Sequence, residues 1–239
     1  MVRPEPEMGR MELRYSKMED RQRIEIFQDR TGAGRTLAVE LGPLISRPAV
    51  VAALPRGGVA VALPIATELQ IPLTVVYARK LISPAAPELA FGALDEDGEM
   101  LVEEGIVRLL ELRPQDVEEA RTKTAAEIRR RMARYGVPPL AHYLPACGVI
   151  LVDDGLATGL TMRAALSYAR RHGARTIVVA TPCASTRAAA RFSREADHFV
   201  SLIVDEDFMA VGDYYLDFPQ VSDEEVVTML SEAHLKESK

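Results

Sequence analysis

The sequence predicts an α/β fold, an open and mostly parallel sheet flanked by helices. Three observations carry that expectation. Short apolar runs at 49–54, 73–78, 149–152, 176–180 and 198–204 alternate with stretches of helical periodicity. These runs carry no Asp, Glu, Lys or Arg, as strands covered on both faces require. Three charged or glycine-bearing segments, 55–58, 79–80 and 153–161, follow runs directly. A parallel sheet would gather such segments along its carboxyl edge, where open α/β sheets bind ligands.

Composition narrows the class. A chain of 239 residues with 48% hydrophobic content can fill one sizeable core. No internal repeat or linker divides it, so one domain is expected over 24–234, after a loosely ordered extension at 1–23. Met8, Met11 and Met18 leave the start codon open. The net charge of −6 argues against broad nucleic-acid binding and suits small-molecule partners. Cys147 and Cys183 are the only cysteines, each beside an expected strand. They read as buried free thiols, with no disulfide framework or zinc spacing. The opening MVRPEPEMGR lacks the apolar core of a secretory signal. The uncharged stretch 57–67 contains Pro64 and is too short to span a bilayer. A cytoplasmic protein with no membrane partner is therefore expected.

Taken in order, Asp29 or Thr31 caps a helix with Ala33, Leu37, Leu41 and Leu44 on one face. Arg30 and Arg35 read as solvated arginines, with phosphate contact as the alternative. The strand at 49–54 passes through Pro55-Arg56-Gly57-Gly58 into a helix over 59–69. A glycine loop entering a helix offers backbone N–H groups to an anion, and Arg56 adds a fixed positive charge. A tight turn with a surface arginine is the alternative. The strand at 73–78 ends in Arg79-Lys80, two cations with no adjacent carboxylate, which need an anionic partner or solvent. Ser83, Pro84 and Pro87 make 81–88 a loop. The runs 89–94 and 99–102 around Asp95-Glu96-Asp97-Gly98 read as a β-hairpin.

Pro114 opens a long helix to about residue 134, with a thin stripe of Val117, Ala120, Thr124, Ile128 and Met132. Glu127 and Arg131 are spaced for an ion pair one turn apart. Arg129-Arg130-Arg131 and Arg134 read as a solvated face, because acids interleave and no aromatic platform accompanies them. The later elements are a helix carrying Met162, Ala165, Leu166 and Ala169, a strand at 176–180, and a helix capped by Ser185. A strand at 198–204 follows, with His198 structural, and a last helix capped by Ser222 or Asp223.

The centre of the chain is GVILVDDGLATGLT, residues 148–161. Its order is strand, two acids, small-residue loop, helix. The loop presents free N–H groups and the positive helix end, with Thr158 and Thr161 as added donors, which suits a phosphate monoester. Asp153 and Asp154 would repel phosphate, but they suit hydroxyl donors or a magnesium shell. Together the halves match a ribose carrying a 5′-phosphate. The alternative is an ordinary turn whose acids cap the helix. No lysine follows Gly159, which excludes a Walker A loop. Near the end, Phe208, Tyr214, Tyr215 and Phe218 concentrate the aromatics of a chain with only 5% of them. They form either a slot for a planar base or a packed C-terminal lobe.

VILVDDGLATG resembles the phosphoribosyl pyrophosphate (PRPP) signature of type I phosphoribosyltransferases. The likeness covers about residues 26–230 and is close to a bacterial and archaeal subgroup carrying F-x-D-R, LPRGG, RK, VDDG-x-ATG and VG-x-x-Y-x-DF. It implies a flap at 81–104 that closes over the reaction centre and a hood at 205–220 that covers the base. It implies an enzyme of nucleotide metabolism that moves a phosphoribosyl group from Mg2+-bound PRPP to a nitrogenous base, releasing pyrophosphate. The hood is similar to those of 6-oxopurine enzymes, which makes a purine the first candidate.

By the same resemblance, Asp153 and Asp154 hold the ribose, and Gly155, Ala157, Thr158, Gly159 and Thr161 complete the phosphate and ribose site. Arg56, Gly57, Gly58, Arg79 and Lys80 hold pyrophosphate, with Arg79 and Lys80 joining the two aspartates as the catalytic set. Phe208, Val211 and Tyr214 would meet the base. A homodimer is expected, with magnesium carried by PRPP rather than by direct protein ligands. Some relatives carry a fused hydrolase-like domain, which is not expected in this chain. A PRPP-sensing regulator and a non-catalytic phosphosugar-binding protein are the alternatives.

Overall fold

The computed structural model describes residues 26–83, 86–145 and 147–237. The expected extension at 1–23 and Pro84 lie outside them. The chain opens with α1 (Arg30–Leu41), β1 (Ala49–Ala53), α2 (Gly57–Leu69) and β2 (Leu73–Val75). Three strands follow, β3 (Ala78–Ser83), β4 (Ala86–Asp95) and β5 (Met100–Val102), then α3 (Glu104–Leu109) and α4 (Pro114–Tyr135). The second half holds β6 (Gly148–Val152), α5 (Leu160–Arg171), β7 (Ile177–Ser185), α6 (Thr186–Glu195), β8 (His198–Asp205) and α7 (Asp223–Glu237).

The expected sheet is present. Its order is β2-β1-β6-β7-β8, parallel at every pairing. Alternate residues serve its two faces. Val51, Ala53, Ile150 and Val152 pack with Leu37, Leu41, Ile65 and Val226 from α1, α2 and α7. Val50, Ala52, Val149 and Leu151 pack with Met162, Leu166 and Phe192 from α5 and α6. Both faces are dry over β1, β2, β6 and β7, which is why these strands read as unbroken apolar runs rather than as alternating ones, while the edge strand β8 is mostly half-buried. Among the described residues no helix is long and apolar enough to cross a membrane.

The run at 73–78 is not one strand. β2 stops at Val75, opposite Ala53, where β1 itself ends. With no partner left, the chain turns away, and Ala78 starts a separate antiparallel sheet of order β3-β4-β5. Arg79 and Lys80 therefore lie inside a strand, not at a strand end. The loop expected over 81–88 is strand on both sides of residues 84–85, with register shifts around Ile82. Proline is tolerated at such irregularities, which is how Pro87 sits in β4. The hairpin at 95–98 is as expected, and the Asp95 carboxylate ties it by accepting from the N–H groups of Asp97 at 3.1 Å and Glu99 at 3.0 Å.

Smaller corrections have local causes. Leu44 falls in a short 3-10 turn and is 36% exposed, off the face of α1. Cys183 is buried as expected, and Cys147 only partly. His198 lies exposed at the start of β8. Arg129, Arg130 and Arg134 of α4 are exposed, as expected, but two of them are also paired. Arg130 pairs with Asp223 at 2.8 Å, and Arg134 pairs with Glu224. The acidic first turn of α7 crosses α4 there, a neighbour more than eighty residues away in sequence. The pair Glu127–Arg131 forms at 3.0 Å.

Ser222 caps α7 by accepting from the Glu225 N–H at 3.1 Å, while the Glu225 carboxylate accepts from the Ser222 N–H at 2.7 Å. Asp223 instead turns inward and accepts from the Tyr135 hydroxyl at 2.7 Å. Burial alone would raise its carboxyl, but Arg130, Tyr135 and Arg131 outweigh burial and hold it at about 2. A folded-state value below the ordinary 3.8 means stability present above pH 4 and lost as pH falls toward 2. Asp223→Asn should therefore lower the melting temperature at pH 7, and its deficit against wild type should shrink as pH approaches 2. Thermal unfolding of both proteins across that range checks this.

Candidate active site

β1 and β6 are neighbours, yet the chain leaves them in opposite directions across the sheet. The loops after them, 54–56 and 153–159, thus meet at a topological switch point. The Leu54 N–H donates to the Val152 carbonyl at 2.8 Å, continuing the pairing into the loops. Approach is so close that a Cβ on Gly57 would lie 1.9 Å from the Asp154 Oδ2. One on Gly58 would lie 2.7 Å from the Val152 carbonyl oxygen. The glycines expected for anion approach are first required by the acid loop.

The Asp153 Oδ1 accepts from the Asp154 N–H at 2.9 Å. Burial, and then the neighbouring Asp154 charge, raise the Asp153 carboxyl well above its usual range, against an opposing pull from Lys80. Asp154 is held from three sides. Its carboxylate accepts from the Arg30 Nε at 2.8 Å, its carbonyl accepts from the Tyr215 hydroxyl at 2.7 Å, and the Cys183 Sγ lies 3.8 Å from that carbonyl. Burial, followed by the two aspartates, pushes the Cys183 thiol up, so it stays a neutral filler. Gly155 lies beneath Val211, whose Cγ1 would be 2.4 Å from an added Cβ.

The rest of the loop is stitched to an extension of β7 beyond its expected end at residue 180. Leu156 exchanges backbone bonds with Cys183 and Ser185, each at 2.9 Å, and the Ser185 Oγ donates to the Ala157 carbonyl at 2.7 Å. Gly159 then occupies the N-cap of α5 with a left-handed φ of 71° and no side-chain capping bond. The first turn of α5 therefore keeps its N–H groups for an incoming anion. Thr158 is exposed and Thr161 half-buried at that turn.

The two cations of β3 diverge, as alternate strand residues must. Arg79 faces α4 and lies 3.7 Å from Glu127. The expectation of no carboxylate beside this pair is thus corrected, because the helix that supplies Glu127 crosses β3. Arg130, then Arg79 and Arg131, pull the Glu127 carboxyl down to about 2. Lys80 lies opposite Ala93, which packs on Leu160 and Ala164 at the start of α5. It is therefore Lys80 that lies toward the acid loop and the start of α5. Arg56 is partly exposed, 4.0 Å from Asp223.

The hood is a stack of aromatic rings. Phe208 lies 4.9 Å from Tyr214, and Tyr215 lies 4.9 Å from Phe218. Tyr214 is only 2% exposed and donates to Asp205 at 2.8 Å, so its ring is packed within the hood. Val211 faces the acid loop. The flap hairpin is anchored at its turn, where Arg171 meets Asp95 at 2.6 Å and His172 meets Asp97 at 2.9 Å.

Arg30 is not the solvated arginine that its sequence context suggests. It is 8% exposed, paired with Asp154 and 3.7 Å over the Phe218 ring. The available signal is its place directly after the capping Asp29, in the same short motif as Phe27. A cavity of about 370 Å³ opens beside it, lined by Arg30, Arg56, Gly57 and residues 218–221.

Comparison with known proteins places the chain in a family. The phosphoribosyl transferase domain model matches residues 44–219. Two Mycobacterium tuberculosis proteins, from strains CDC 1551 and H37Rv and each named "putative phosphoribosyl transferase", are 42% identical over 213 residues. The match takes in 88% of this chain and 48% of theirs, so the chain spans about half the length of these relatives. The crystal structure of TT1426 from Thermus thermophilus is 43% identical, with a TM-score of 0.72 over 87% of this chain and 99% of that one. By fold and by sequence, the chain belongs to the phosphoribosyl transferase domain family.

Proposed function

We propose that the protein transfers the 5-phosphoribosyl group of PRPP to a ring nitrogen of a nitrogenous base, releasing pyrophosphate. One observation carries the reading. Two adjacent carboxylates and an uncapped helix N-terminus lie at the same switch point as the Arg56-Gly57-Gly58 loop. Ala157, Thr158, Gly159 and Thr161 anchor the 5′-phosphate by loop N–H groups and hydroxyls. Asp153 and Asp154 accept from the ribose hydroxyls. As the C1–O bond to pyrophosphate breaks, positive charge grows on the sugar, and the nearby carboxylates stabilise it.

Arg56 and Lys80 hold the departing pyrophosphate, with Arg79 behind them on the α4 side. Among the described residues no group of three or more His, Cys, Asp or Glu side chains is placed to hold a metal ion. Two hard carboxylates beside a basic loop fit magnesium that arrives on PRPP, where it offsets the charge of the leaving group. Val211 and Phe208 border the acceptor, Tyr214 buttresses Phe208, and a purine is the first base to test.

The decisive assay is pyrophosphate release from Mg–PRPP with purine and pyrimidine bases supplied singly. Release that requires one base is the expected result. PRPP binding without release would instead make the protein a sensor. Asp154→Asn should lower turnover by about a hundredfold, since it removes an electrostatic contact made in the transition state. It should also lower the melting temperature, since it leaves the buried Arg30 without its carboxylate, so turnover is compared at a temperature where the variant is folded. Full turnover in that variant would defeat the ribose assignment.

Lys80→Ala should raise the KM for PRPP more than Arg79→Ala does, because Lys80 faces the acid loop and Arg79 faces Glu127. Steady-state kinetics on the two variants decides between them. In Gly57→Ala the new methyl would displace the Asp154 carboxylate. Calorimetry on that variant should find Mg–PRPP binding lost.

A further inference from the structure

Arg30 joins three parts of the molecule that are far apart in sequence. It sits in the first turn of α1, after Asp29, whose carboxylate caps the helix by accepting from the Gly32 N–H at 2.7 Å. Its Nε donates to the Asp154 Oδ2 and its second nitrogen to the Pro219 carbonyl, both at 2.8 Å. Its plane covers the Phe218 ring. The backbone just before it is tied to the same hood. The Phe27 N–H donates to the Tyr214 carbonyl at 2.9 Å, the Leu216 N–H to Phe27 at 2.8 Å, and the Asp217 N–H to Gln28 at 2.9 Å. Tyr215, stacked on Phe218, closes the circuit by donating to the Asp154 carbonyl.

A planar guanidinium can serve a carboxylate, a carbonyl and a ring face at once, which a lysine ammonium cannot. The geometry leaves no slack, since a Cβ on Gly57 would also lie 3.1 Å from the Arg30 Nε. We propose that Arg30 is a positioning residue that couples the hood to the ribose-holding carboxylate, so that docking the hood and aiming Asp154 are one event. The acceptor pocket is then assembled only together with the ribose site. A base meets a closed hood when Asp154 is correctly oriented, and a misplaced Asp154 loosens the hood. This inference rests on the reading of Asp154 as a ribose ligand.

The test uses the full chain as wild type, Arg30→Lys, Arg30→Gln, Asp154→Asn and the double variant Arg30→Gln/Asp154→Asn. Amide exchange at Leu216 and Asp217 reads the hood, and calorimetry reads Mg–PRPP affinity. Both Arg30 variants should exchange these two amides about tenfold faster, while amides of β6 and α5 keep wild-type rates. Arg30→Gln should weaken Mg–PRPP binding by about tenfold in the wild-type background and by no more than about twofold when Asp154 is already Asn.

Unchanged exchange at Leu216 and Asp217 in both variants would overturn the proposal. So would affinity losses that simply multiply. A uniform rise in exchange across β6 and α5, in Arg30→Lys as well, would also overturn it, because Arg30 would then hold the whole fold. Wild-type protein that fails to bind Mg–PRPP would defeat the ribose reading instead, and the two hood amides would still decide the coupling.

Discussion

The contact between Gly57 and the Asp154 carboxylate sets the terms for the rest of the site. Parallel pairing of β1 with β6 brings two loops to the same sheet edge, and the pairing continues one bond beyond the strands. At that separation position 57 has no room for a side chain. The glycine loop and the loop that carries the acids are therefore one packed object. Each element that feeds this edge inherits the constraint. α2 must start at Gly57, α1 must bring its arginine in over Asp154, and Val211 must close down on Gly155.

Charge is arranged around that object in two layers. The inner layer holds two adjacent carboxylates. Burial and mutual repulsion raise the proton affinity of Asp153, and Arg30 and Lys80 are the nearby cations that temper the pair. The outer layer is the network of Arg56, Arg79, Arg130 and Arg131 with Glu127 and Asp223. Its carboxyls sit near 2 because several guanidinium groups converge on each. Isolated surface ion pairs contribute little to stability, but here α4, β3 and α7 share one network in which Arg56 lies 4.0 Å from Asp223 and Arg79 lies 3.7 Å from Glu127.

The aromatic residues near the end of the chain serve the site by packing. Tyr214 and Tyr215 spend their hydroxyls on Asp205 and on the Asp154 carbonyl, and their rings stack on Phe208 and Phe218. The hood is thus a small core of its own, clamped to the acid loop by Val211 and to α1 by Arg30. Within it Met209 stands 85% exposed.

The sequence by itself determined the central parallel sheet, because strands dry on both faces leave unbroken apolar runs that no other architecture explains as well. It also determined the acid loop and the glycine loop, whose residue types are dictated by local backbone geometry and appear as contiguous motifs. Tertiary structure alone decided where the isolated charges go. Arg30 looks like any helix-surface arginine until Asp154, 124 positions away, is folded against it. Arg79 and Lys80 look alike until β3 turns one toward Glu127 and the other toward Asp153. The exposed arginines of α4 show no partner on α7 until α7 brings Asp223 and Glu224 against Arg130 and Arg134. A long charged side chain finds its partner through the packing of distant elements, and nothing in its own neighbourhood along the chain records which partner that is.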